Sequence, residues 1–103
     1  MYKRYKIYIT GNVQRVGFRS KAYENALKLN ISGMALYIDH AIMIEAEGDA
    51  GNLSDFIDWC RIGPELCTIE SIEVTEQPPR FSDGFDLVHG VVSSKKLSDF
   101  FVS

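Results

Sequence analysis

The sequence predicts a single-domain α+β fold in which a four-stranded antiparallel sheet carries two helices on one face. Three observations predict it: several short runs alternate apolar and polar residues, two longer runs repeat apolar residues at helical spacing, and the runs follow one another in the order βαββαβ. The chain has 103 residues, 46% apolar and 24% charged, the balance of an ordinary globular protein. A domain of this size buries roughly 65% of the surface its unfolded form exposes.

Each element has its own justification. Residues 4–10 place Tyr5, Ile7 and Ile9 on one face and Lys6 and Tyr8 on the other, the pattern of a half-buried strand, with Tyr2 and Lys3 expected to fray. From Phe18 the period changes to that of a helix. Phe18, Ala22, Ala26 and Leu29 form its stripe, Tyr23 and Leu27 are expected to widen the buried face, and the helix should end near Asn30. "GMALYI" and "AIMIEAE", separated by "DH", read as a tight hairpin whose second strand exposes Glu45 and Glu47. Asp49 or Asn52 can cap a second helix with a stripe of Leu53, Phe56, Ile57 and Cys60, which Gly63 and Pro64 stop. "CTIESIEVTEQ" alternates again, and after "PPRFSD" a short strand "GFDLV" closes the set. The order is that of the split βαβ, ferredoxin-like arrangement.

Composition narrows the function classes. A net charge of −3 disfavours an electrostatic grip on nucleic acid, and the central run "AIMIEAE" offers carboxylates where base stacking on a sheet needs aromatics. No apolar run approaches the ~20 residues of a membrane span. The basic start "MYKRYKIYIT" alternates as a strand does, unlike the continuous apolar region of a signal peptide, so a cytoplasmic protein is expected. Cys60 and Cys67 stand six residues apart without a second pair and read as buried or half-buried free thiols. No metal site is expected. His40 in the hairpin turn reads as solvated, and Glu70, Glu73 and Glu76 read with Glu45 and Glu47 as a solvated sheet face.

One stretch carries chemistry. "TGNVQRVGFRSKAY", Thr10–Tyr23, leads from a strand into a helix through two glycines and two arginines. A glycine-bearing turn of this kind points several backbone N–H groups in one direction, at the positive end of the helix dipole, and makes a nest for an anion. Gly11 and Gly17 permit the curl, and Arg19 in the first helical turn can pair with the same anion through its guanidinium fork. The alternative is a plain turn followed by a solvated arginine. The stretch matches neither G-x-x-x-x-G-K-[ST] nor G-x-G-x-x-G.

"GNVQRVGFR" closely resembles the acylphosphatase signature, usually written G-x-V-Q-G-V-x-[FY]-R. The element order, "GDAGNLSDFIDWCRIGP" and the final "DGFDLV" match the same family over about residues 3–88. The resemblance implies a ferredoxin-like fold and hydrolysis of carboxyl phosphates to carboxylate and phosphate without metal or organic cofactor. It implies a phosphate-binding loop of Gln14, Arg15, Val16, Gly17, Phe18 and Arg19, with Arg19 as the catalytic, phosphate-binding arginine. The expected ligand is a small-molecule acyl phosphate or inorganic phosphate, with no nucleic acid, no membrane and a monomeric protein.

The chain departs from that family in two places. On the strand after the first helix, where the family carries a short asparagine that holds the attacking water, the preferred register places Tyr37, while a register shifted upstream of the hairpin turn around Asp39 and His40 would bring Asp39 there, a carboxylate that would repel the phosphate. A phenol offers one hydroxyl on a long arm where an amide offers both a donor and an acceptor, so activity is expected to be altered or impaired, and a binding module without turnover is the alternative. Tyr37 reads either as a packed strand aromatic or as a catalytic substitute, and Asn12 is the one nearby amide within the loop. Arg15 occupies a place where the family often has glycine. Residues 1–88 are thus expected to form the acylphosphatase-like domain. Residues 89–103 form an extension that is either disordered or docked through Leu97, Phe100 and Phe101.

Overall fold

The computed structural model describes residues 1–92. Strand β1 (Tyr2–Asn12) is followed by helix α1 (Phe18–Lys28), strands β2 (Ser32–Ile38) and β3 (Ala41–Asp49), helix α2 (Ala50–Ile62), and strands β4 (Thr68–Gln77) and β5 (Phe85–Val92). The sheet runs β4-β1-β3-β2-β5. It has five strands, one for each of the five strand runs in the sequence, where the βαββαβ order counts only four, and only the first four pair antiparallel. The fifth lies parallel to β2, with Gly33 opposite Phe85 and Ala35 opposite Leu87. Alternation marks "GFDLV" as a strand but carries no information on its neighbour. Parallel docking on β2 covers an edge that the hairpin would otherwise leave unpaired. The strand also runs on past Val88 to Val92.

Both helices pack on one face of the sheet. Ile7 and Ile9 of β1, Ala35 and Tyr37 of β2, and Ile42, Ile44 and Ala46 of β3 meet Phe18, Ala22 and Ala26 of α1 and Leu53, Phe56, Ile57 and Cys60 of α2. The α2 stripe is the one its spacing predicts, and Asp49 caps that helix by accepting the Gly51 N–H at 3.1 Å. The α1 stripe is narrower than expected. Phe18, Ala22 and Ala26 are buried, while Tyr23 is 37% and Leu27 57% exposed on the flanks. The helix ends in a Schellman turn, with Asn30 left-handed at φ 55° and the Ile31 N–H donating to the Ala26 carbonyl at 2.8 Å.

Two further expectations are corrected. Tyr2 and Lys3 do not fray: they pair with Asp49 and Gly48, and the Tyr2 ring stacks on Phe81 at 5.2 Å. Glu45 and Glu47 are fully buried rather than solvated. On the face opposite the helices, Arg4 donates to Glu45 at 3.3 Å and to Glu47 at 2.6 Å. Glu47 also accepts the backbone N–H groups of Arg80, Phe81 and Ser82 and the Ser82 hydroxyl. The loop between β4 and β5 is thereby tied down over the sheet. Burial alone would raise the Glu47 carboxyl, but the donors from Phe81, Arg4 and Ser82 outweigh it and hold the group below its ordinary value.

Cys60 is buried and Cys67 half-buried, both as free thiols, and burial pushes the Cys60 thiol far up. The docking expectation for Leu97, Phe100 and Phe101 lies outside the described residues.

Candidate anion site

The strand-to-helix loop is held at both ends by apolar anchors. Val13 and Phe18 are buried, Phe18 against the Trp59 ring at 5.3 Å in an edge contact, and Val16 packs on the same core. Between these anchors the backbone has to curl within a few residues. Arg15 (φ 61°) and Gly17 (φ 77°) both take left-handed conformations and supply the curl. Upstream, Gly11 sits at φ 133° where the β1–β4 register shifts, and a Cβ there would collide with the Thr68 carbonyl, so glycine is required. The Gln14 side chain ties the loop to the hairpin, donating to the carbonyls of Asp39 at 2.8 Å and Ala41 at 3.1 Å.

Gly17 is the N-cap of α1, and no side chain caps the helix start. The first-turn N–H groups therefore face the loop's concavity with the positive end of the dipole behind them. Arg19 emerges from that turn. Its Nη1 donates to the carbonyls of Val88 at 2.5 Å and Gly90 at 3.1 Å, and its guanidinium carbon lies 4.2 Å from the centre of the Tyr37 ring. The Tyr37 hydroxyl accepts a long hydrogen bond, 3.4 Å, from the Arg19 backbone N–H.

The carbonyls that hold Arg19 come from an irregularity in β5. Ala35 pairs with Leu87 and Tyr37 with Val91, so β5 passes three residues while β2 passes one. Gly90, left-handed at φ 77°, lies within that bulge. The extra residues leave the ladder, and two of their carbonyls turn towards the guanidinium.

Arg15, Gly17, Arg19, Ser20, Tyr37 and Gly90 line an open pocket of about 460 Å³, with Gln14 and Val91 at its margins. Among the described residues, two guanidinium groups and no carboxylate line this space. The loop residues Gln14 to Arg19 thus come together with Tyr37, while the Val16 and Phe18 side chains serve as anchors. Tyr37 is 6% exposed: it packs in the core, as the first reading of it from the sequence has it, and it also lines the pocket. Asn12 instead pairs with Thr68 in β1, and His40 is exposed in the hairpin turn. Sequence reasoning missed Ser20, Val88, Gly90 and Val91. A glycine inside the otherwise β-prone "VHGVV" was the one signal of the bulge.

The acylphosphatase family model matches residues 5–87, the span that includes the loop, Arg19 and Tyr37. The chain belongs to the acylphosphatase family. Among relatives, it is 36% identical over 77 residues to an acylphosphatase of Rubrobacter xylanophilus, covering 74% of this chain and 70% of that one. It is 34% identical over 88 residues to an acylphosphatase of a Synechococcus strain, covering 84% of this chain and 98% of that one. Among solved structures, an acylphosphatase from Bacillus subtilis superposes with a TM-score of 0.81 at 30% identity, over 86% of this chain and all of that one. Full-length HypF in a phosphate- and nucleotide-bound form superposes with a TM-score of 0.85 at 29% identity over 91% of this chain, which corresponds to 12% of that much longer protein. The acylphosphatase fold accounts for the ferredoxin-like layering, and the fifth strand is where this chain supplies the carbonyls that seat Arg19.

Proposed function

We propose that this protein is an acylphosphatase-type hydrolase that cleaves the carboxyl–phosphate bond of small acyl phosphates. One observation carries the reading: an arginine seated by neutral acceptors projects beside an uncapped helix start and a left-handed loop, in a chain of the acylphosphatase family. The backbone from Gln14 to Arg19 holds the phosphoryl oxygens, and the remaining Arg19 N–H donors stabilise the charge they gain in the transition state. Water attacks phosphorus, the bond from phosphorus to the acyl oxygen breaks, and that oxygen leaves as carboxylate with the electron pair. The water's proton passes to the phosphate or to solvent. Such a mixed anhydride has a good leaving group, so positioning and charge stabilisation suffice without a metal or organic cofactor.

Tyr37 is the proposed partner of the attacking water. Its ring is fixed by the core and by the Arg19 guanidinium, and its hydroxyl stands at the lip of the cradle, 3.4 Å from the Arg19 nitrogen. A second reading is favoured by that same hydrogen bond. If the hydroxyl is committed to Arg19, the protein binds phosphate or acyl phosphate without turnover. The reading further takes the protein as a cytoplasmic monomer acting on small molecules, its domain reaching beyond the residues 1–88 read from the sequence to the end of β5 at Val92, because Gly90 helps to seat Arg19. Hydrolysis of benzoyl phosphate by wild type, Arg19→Ala and Tyr37→Phe decides between the two. Turnover lost in Arg19→Ala and reduced in kcat by Tyr37→Phe supports the hydrolase. Absence of turnover in wild type, with inorganic phosphate still raising the melting temperature, supports the binding module.

A further inference from the structure

Arg15 is at an unusual place for a large side chain. Its φ of 61° is one that glycine adopts freely and that costs an L-residue on the order of 1 kcal/mol. The side chain that remains there is exposed, lines the pocket and has no hydrogen-bond or ion-pair partner among the described residues. The other arginine of the pocket is already seated, with Nη1 on two carbonyls and its plane over Tyr37. The two cations are thus unlike: one is seated by fixed acceptors, the other is exposed and without a partner among the described residues. Among the described residues no carboxylate lines the pocket to neutralise either, although the chain as a whole is acidic.

The volume of the pocket, about 460 Å³, falls in the range of small-molecule sites and exceeds what one phosphoryl group fills. The loop N–H groups and Arg19 converge on that group at the helix start. The outer part of the pocket, beside Arg15, is left for the acyl portion of the substrate. An uncharged acyl group gains little from a guanidinium there, whereas a carboxylate matches its planar fork through two parallel N–H···O bonds.

We propose that Arg15 forms a second anion subsite, and that the preferred substrates are acyl phosphates whose acyl group itself carries a carboxylate. The inference rests on the hydrolase reading of the pocket for its chemistry, but Arg15 can be tested apart from turnover. Benzoyl phosphate and 4-carboxybenzoyl phosphate differ by one carboxylate, and the ratio of their kcat/KM values isolates its recognition. Arg15→Gly is the variant of choice because glycine accepts the left-handed backbone and leaves the loop able to form.

Wild type is expected to favour the carboxylated substrate by roughly tenfold, the discrimination of one charge-assisted pair at a partly exposed site. Arg15→Gly should bring the ratio to about one or below, whatever its effect on the absolute rates. A wild-type ratio of one or less would overturn the proposal, as would a ratio that Arg15→Gly leaves unchanged because both substrates lose equally, which would place Arg15 on the phosphoryl group. Benzylphosphonate and 4-carboxybenzylphosphonate, which cannot be hydrolysed, give the same comparison as a ratio of Kd values. If neither acyl phosphate is cleaved the hydrolase reading fails, yet a preference for the carboxylated phosphonate that Arg15→Gly removes would still uphold the subsite, and its absence would sink it.

Discussion

Arg4 and Arg19 are both held by hydrogen bonds at the sheet, yet their partners differ in kind. Arg4 is buried between Glu45 and Glu47 on the face opposite the helices, its charge balanced by carboxylates that also tie down the β4–β5 loop. Arg19 is held at the mouth of the pocket by the carbonyls of Val88 and Gly90 and by the face of Tyr37, none of which carries a net charge. The contrast shows how one side-chain type serves two ends. Carboxylate partners neutralise a guanidinium and make it part of the framework, while neutral acceptors fix its direction and leave its net charge available to a ligand.

The sharpest way to break this comparison is at Arg19. Arg19→Ala should lower kcat/KM for benzoyl phosphate about 10³-fold, in the range found for loss of a principal transition-state donor, with a melting temperature close to wild type. Equal losses of stability and activity would mean that Arg19 belongs to the framework after all. At Arg4's end the pattern should invert. Glu47→Gln, which removes the charge facing Arg4 and turns one of the two acceptor oxygens, shared between Arg4 with Ser82 and the Arg80–Phe81 backbone, into an NH2 donor, should destabilise by about 3 kcal/mol in urea titration while leaving the Kd for inorganic phosphate within twofold.

The acid limb sharpens the same contrast. The folded Glu47 carboxyl titrates below its ordinary value of 4.5, so its contribution is fully present above that pH and is lost as pH falls through the lower folded value. The stability gap between wild type and Glu47→Gln should therefore be widest at neutral pH and narrow steadily below about pH 4.5, as followed by urea midpoints. A gap independent of pH would remove the carboxylate from the account.

A smaller effect is expected from the strand that seats Arg19. A side chain at Gly90 meets no atom within 4 Å, so substitution there acts through φ alone. Gly90→Val, which disfavours φ 77°, should raise KM for benzoyl phosphate roughly tenfold with little change in melting temperature, and Gly90→Asn, which tolerates left-handed backbone, should recover most of it. If valine and asparagine behave alike, the two carbonyls do not position the arginine. The smallest effect should come from Leu27→Gln on the exposed flank of α1, within ±0.5 kcal/mol of wild type.

Most of the frame was legible in local patterns, because periodicity reports which residues share a face. Leu53, Phe56, Ile57 and Cys60 are the buried stripe of α2 as their spacing states, and "GNVQRVGFR" marks the loop that brings Arg15, Gly17 and Arg19 to one pocket. Alternation assigned Glu45 and Glu47 to the face away from the helices, which is right, but it says nothing of whether that face is covered. The Arg80–Ser82 backbone that covers it lies more than thirty residues away in sequence. Tyr23 and Leu27 differ from expectation for a related reason: periodicity gives the centre of a buried stripe, while its width depends on which neighbouring side chains cover the flanks.

By itself, then, the amino-acid order determined the identity of the elements, the apolar stripes that join them and the residues of the anion loop, all of which follow from contacts within one turn or one strand. The tertiary structure alone decided the parallel docking of β5 on β2, the bulge that turns Val88 and Gly90 towards Arg19, and the burial of Arg4 with its two glutamates. Each of these joins segments more than thirty residues apart, the first two through backbone groups, and a backbone carbonyl looks the same at every position of a sequence until the fold gives it a direction.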